Sequence, residues 1–159
     1  MLPTREQLVV VHCDLVEFSR LTSQNEDATF YALKQGFEQA ALLVSDHDGA
    51  LVNTAGDSLL AVFPTAQAAA QAALGLQQYF ALTNRHLPEN EQLRARIGIH
   101  QGAVEVQGDQ SFGNDVTIAA RLQEIAPPVG ICLSESVRHL IGDFNELQFE
   151  SIGVQTLRH

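Results

Sequence analysis

The segment GALVNTAGDSLLAVF, residues 49–63, constrains the fold more than any other stretch of the chain. Its two apolar runs, ALVNT and LLAVF, are separated only by Ala55-Gly56-Asp57-Ser58. A parallel crossover needs a dozen or more residues, so these runs pair directly as an antiparallel hairpin. Before it, LVVVHCD at about residues 8–14 alternates little, which predicts a strand buried on both faces. Between strand and hairpin, Phe30, Leu33, Phe37, Ala40, Ala41 and Val44 recur at helical spacing within residues 26–47. Asp48-Gly49 then stops that helix. After the hairpin, Pro64-Thr65 opens an alanine-rich helix running to about residue 84. RARIGIHQGAVEVQG reads as a strand pair broken at Gly102, and SFGNDVTIAARLQEIA as a loop and helix ended by Pro127-Pro128. GICLSES, ESVRHLIG and NELQFESIGVQTLRH close the chain as a strand, a short helix and a hairpin-like segment.

The order β-α-β-β-α-β predicts an α+β fold, with a ferredoxin-like split βαβ core and helices on one face of a mainly antiparallel sheet. In such a core the first strand and the hairpin are neighbours. Asp14, at the end of LVVVHCD, and Asp57, in the hairpin turn, then fall side by side at one end of the sheet. Two carboxylates there make a site for hard cations and for the phosphates such cations carry. Each aspartate alone also fits a plainer role, Asp14 as a cap and Asp57 as turn chemistry.

Composition narrows the classes of function. With 159 residues, 45% of them apolar, the chain has enough material for one hydrophobic core, read as a single domain over 1–159. Nine Lys and Arg face 19 Asp and Glu, a formal charge of −10 that repels nucleic acid and anionic lipid. A small phosphorylated ligand stays open, because a bound divalent cation reverses the local field. No apolar run is long enough to span a membrane, and MLPTREQ lacks the features of a signal peptide. Cys13 and Cys132 read as small core residues, in keeping with a reducing cytoplasmic setting. His12 reads as packed or paired and His100 as a structural strand-end residue, while His47, His86 and His139 have no metal-ligand spacing. Glu17 adds a carboxylate beside Asp14.

A third piece joins the aspartates. In GNDVTIAARL, Thr117 and Arg121 lie four apart on one side of a helix. An arginine there is either a surface cation in an ion pair or a group that reaches phosphate and stabilises developing charge.

HCDLVEFSRL, GALVNTAGDSLLAVFP, RIGIHQGAVEVQG and SFGNDVTIAARLQEIAPPVGICLSESV follow one another in the order and spacing of class III nucleotidyl cyclase catalytic domains. From about residue 7 to its end the chain resembles these adenylyl and guanylyl cyclase domains, and the family fold agrees with the split βαβ core. The resemblance implies that a nucleoside triphosphate, ATP by default, is converted to a 3′,5′-cyclic nucleotide and pyrophosphate. It implies two divalent cations, Mg²⁺ or Mn²⁺, on Asp14 and Asp57 with the Leu15 carbonyl as a further ligand. The backbone of Val16, Glu17, Phe18 and Ser19 matches the segment that holds the triphosphate, and Arg158 falls near a late phosphate-binding lysine. Arg121 matches the transition-state arginine. Sites in the family lie between two antiparallel subunits, which implies a homodimer.

Three positions depart from the family. Asn53 replaces the purine-reading lysine, Gln110 its aspartate or threonine partner, and Thr117 the asparagine that orients the ribose. Amides at 53 and 110 suit guanine or a pyrimidine as well as adenine. The same departures admit a degenerate cyclase-homology domain that binds nucleotide or dimerises without turnover. The span of the chain also fits a piece of a longer regulated protein with a sensor domain or regulatory partner.

Overall fold

The computed structural model describes residues 5–105 and 113–142. Its elements are β1 (Arg5–Leu15), α1 (Phe18–Gln24), α2 (Glu26–Asp46), β2 (Ala50–Ala55), β3 (Ser58–Phe63), α3 (Ala66–Asn84), β4 (Ala95–Glu105), α4 (Gly113–Ile125), β5 (Ile131–Leu133) and α5 (Glu135–Ile141). The strands form one sheet in the order β2-β3-β1-β4-β5. β1 pairs antiparallel with both β3 and β4, β2 pairs antiparallel with β3, and β5 joins β4 in parallel. The first four strands thus have the order of the ferredoxin-like split βαβ core.

β1 is the central strand, and its two faces are buried in different ways. Val9, Val11, Cys13 and Leu15 join the main core with residues of α2, α3 and α5. Val10 turns the other way, into a smaller cluster with Leu60, Val62 and Ala119 of α4. Burial on both faces explains the near-continuous apolar run.

The helices begin and pack where side chains permit. Asn25 caps α2 by accepting from the Ala28 amide at 3.1 Å, and Thr65 caps α3 from the Ala68 amide at 3.1 Å. On α3, Ala66, Ala69, Ala70 and Ala73 are buried, so the helix lies close to the sheet. Gln77, also buried, donates to the carbonyls of Ala95 (3.1 Å) and Gly130 (3.2 Å), tying α3 to the start of β4.

Three expectations change. RARIGIHQGAVEVQG supplies a continuous strand, β4, paired with β1 from Ala95 to Glu105, so no hairpin breaks at Gly102. Glycine at 98 and 102 marks close approach of a helix there instead of a turn. The helices do not share one face, since α4 packs on the side opposite α2 and α3. His100 consequently lies within β4 and not at a strand end. The hairpin-like segment expected at 145–159 lies outside the described residues.

Candidate active site

The β2–β3 hairpin closes through Gly56-Asp57, with Ala55 paired to Ser58. Gly56, the first of the two turn residues, has φ +58°, a conformation that favours glycine. Ser58 Oγ donates to the Ala55 carbonyl at 2.9 Å and braces the turn. Asp57 is therefore held at the hairpin tip by backbone geometry.

β1 ends beside that tip. The Leu15 amide donates to Asp14 Oδ1 at 2.7 Å and reaches Asp57 Oδ2 at 3.4 Å. One amide thus lies against both its neighbour's carboxylate and one 42 residues further along the chain. Burial and the adjoining Asp57 carboxylate raise the Asp14 pKa to about 7, while the Leu15 hydrogen bond and Arg96 oppose the rise. The same setting pushes the buried Cys13 thiol up to about 12, through burial first and then Asp14 and Asp57, so Cys13 is a core residue and not a nucleophile.

A pair of half-buried carboxylates that resists double ionisation is chemically suited to a hard divalent cation, whose charge removes the repulsion. All its donors are oxygens. Among the described residues no cluster of three or more His, Cys, Asp or Glu is found, so remaining ligands would be carbonyl, water or substrate oxygens.

The segment after Leu15 differs from expectation in detail. The Val16 amide is engaged by the Arg94 carbonyl at 2.8 Å, so it is not free for phosphate. Glu17 takes a left-handed conformation, φ 54°, at the cap of α1. Its carboxylate accepts from Arg20 Nη2 at 2.7 Å and Nε at 3.2 Å, an exposed pair turned to its own helix. Phe18 packs edge-on against Phe30 of α2, 5.9 Å between ring centres, and Ser19 is exposed. The amides of Phe18 and Ser19 fall in the first turn of α1, where no intrahelical acceptor exists.

Asn53 is exposed on β2, where the pairing with β3 shifts register, and stands opposite Leu60. Leu60 in turn pairs with His12, and His12 with Gly98, so these residues form one cross-strand row. Thr117 is partly buried on α4. Arg121, one turn later, donates from Nη1 to Glu124 Oε1 at 2.9 Å and Oε2 at 3.1 Å. The structure therefore gathers Asp14, Asp57 and the Leu15 backbone, and holds Thr117 and Arg121 as a second group on α4. Asn53 stands on a separate strand from both. Gln110 and Arg158 lie outside the described residues.

Arg96 is a residue that the sequence reading missed. It is the β4 partner of Asp14, and its charge favours the Asp14 carboxylate. Its Nη1 donates to the Glu124 carbonyl at 3.1 Å, while buried Nε has no hydrogen-bond partner among the described residues. Alternation along RIGIH would have revealed its face once β4 was read as one strand.

Comparison with known proteins identifies the family. Residues 2–158 match the adenylate and guanylate cyclase catalytic domain family. A putative adenylate cyclase 3 of Rhizobium meliloti is 29% identical over 156 residues, 98% of this chain and 27% of that protein. An adenylate cyclase of Streptomyces coelicolor is 38% identical over 122 residues, 76% of this chain and 30% of that protein. The chain thus spans under a third of the length of these relatives. The crystal structure of an adenylate/guanylate cyclase/hydrolase from Silicibacter pomeroyi superposes with a TM-score of 0.89 at 32% identity, covering 99% of this chain and 92% of that one. With the family matched over nearly its whole length, the chain belongs to the adenylate and guanylate cyclase catalytic domains.

Proposed function

We propose that this domain converts a nucleoside triphosphate, ATP by default, to its 3′,5′-cyclic nucleotide and pyrophosphate at sites shared between two copies of the chain. The observation that carries the proposal is the meeting of Asp14 and Asp57 at the Leu15 amide. A scaffold that fixes two mutually repelling carboxylates is suited to cation-dependent phosphate chemistry. Divalent cations, two of Mg²⁺ or Mn²⁺, bound by Asp14, Asp57 and the Leu15 carbonyl would neutralise phosphate charge and make the 3′-hydroxyl more acidic.

The chain's own residues account for the rest. The 3′-oxygen forms a bond to the α-phosphorus as the bond to pyrophosphate breaks, and the hydroxyl proton passes to solvent. Arg121 of the second copy stabilises charge on the α-phosphate, exchanging its bond to Glu124 for phosphate oxygens. Thr117, on the same side of α4, orients the ribose. Asn53 and Gln110 read the base, Phe18 and Ser19 offer first-turn amides to the phosphates, and Arg158 supplies a further cation to them.

The test is incubation of purified protein with Mn²⁺ and each of ATP, GTP, CTP and UTP, with products identified by mass. A cyclic nucleotide from at least one is expected. Absence of product from all four overturns the reading.

A further inference from the structure

Strand alternation sends Arg96, Gly98, His100 and Gly102 to one face of β4, and α4 lies along that face. At one end of the helix Arg96 Nη1 donates to the Glu124 carbonyl at 3.1 Å. At the other, His100 Nε2 is 3.3 Å from Asp115 Oδ1. Between them a Cβ at Gly98 would strike the Ala119 carbonyl and the Gln123 amide, and one at Gly102 would strike the Asp115 carboxylate. The helix lies against bare backbone and is held at both ends by polar side chains of the same strand.

His100 also reaches a third element. Its Nδ1 is 2.9 Å from Ser134 Oγ, which is 3.1 Å from Ser136 Oγ, and Ser134 is the residue that precedes the first turn of α5. An ionised Asp115 can only accept, so Nε2 carries the imidazole proton. In the neutral ring Nδ1 then accepts from the Ser134 hydroxyl, and Ser134 accepts from Ser136. The hydrogen bonds therefore run in one direction, from Ser136 through Ser134 and His100 to Asp115. The His100 and Asp115 side chains are only 15% and 28% exposed, which shields the pair from competing water.

We infer that His100 is a positioning residue for the cyclase reaction. It fixes the first turn of α4 against β4 and the β5–α5 junction, and so sets where Thr117 and Arg121 stand. The inference rests on the proposed roles of those two residues.

Glutamine places an amide nitrogen near the Nε2 position of histidine, whereas asparagine reaches only to the Nδ1 position. His100→Gln keeps the donor to Asp115, and His100→Asn loses it. In Mn²⁺-supported cyclisation assays, His100→Asn should lower kcat about tenfold or more with KM within about twofold, and His100→Gln should recover most of the loss. Amide hydrogen exchange at residues 114–121 should quicken in His100→Asn and stay near wild type in His100→Gln. Equal kcat in the two variants, or unchanged exchange in His100→Asn, overturns the role of His100. Wild-type protein that forms no cyclic product, with exchange still divided between the variants, overturns the cyclase reading and leaves the tether to α4 standing.

Discussion

At the scale of single residues, the aspartate pair was legible in the sequence and its electrostatics were not. Strand ends and turn chemistry located Asp14 and Asp57, but the charges that act on Asp14 come from Asp57 and from Arg96 of β4. Arg96 escaped notice for the same reason, since only strand register puts it opposite Asp14. Asp57→Asn should remove repulsion while losing a cation ligand. Its turnover should fall about a hundredfold or more, the scale of several kcal/mol of lost charge stabilisation. Thermal unfolding in chelator should then show the variant at least as stable as wild type, and added Mn²⁺ should raise the midpoint of wild type alone. A second residue-scale prediction concerns His100, which burial holds below its ordinary pKa against the pull of Asp115. The sign follows from linkage: a base with a depressed folded pKa leaves the unfolded chain binding more protons below the ordinary value. Its contribution is therefore present above about pH 6.5 and is lost as pH falls through the folded pKa. Urea unfolding of wild type and His100→Gln across pH 5–8 should show wild type losing stability faster on the acid side.

At the scale of elements, α2, the β2–β3 hairpin and α3 followed from period and punctuation, because each is defined by local signals. Apolar spacing, Asp48-Gly49, Gly56-Asp57 and Pro64-Thr65 sit within the elements they bound. β4 was misread because its glycines serve a partner distant in sequence. Gly56 and Gly98 make that difference measurable. A Cβ at Gly56 meets open space, so Gly56→Ala bears only the left-handed backbone cost, about 1–2 kcal/mol. A Cβ at Gly98 runs into α4 backbone, so Gly98→Ala must displace the helix, at about 3 kcal/mol. Urea denaturation should rank Gly98→Ala as the more damaging. An equal cost at both positions would mean that α4 is not seated on β4 as described.

At the scale of the whole molecule, the aspartates sit at the end of β1 and the tip of the β2–β3 hairpin, while Arg121 stands on α4 and is bonded to Glu124 of its own helix. A cavity of about 580 Å³ opens between α2 and the end of α3, lined by residues such as Thr29, Tyr79 and Phe80, none of them proposed to touch nucleotide. In the proposed function the site is completed by a second copy, one subunit supplying the cation ligands and the other Arg121. That arrangement has an arithmetic consequence. Asp57→Asn and Arg121→Ala should each be nearly inactive as homodimers. In a mixed dimer both lesions fall in one of the two sites and the other site is intact. If subunits exchange freely at equal concentration, half the dimers are mixed and each carries one working site, so activity should return to roughly a quarter of wild type. The measurement is cyclic nucleotide formation by the mixture against each variant alone. No recovery, with exchange of subunits verified by labelled protein, would place both residues in the same subunit's site.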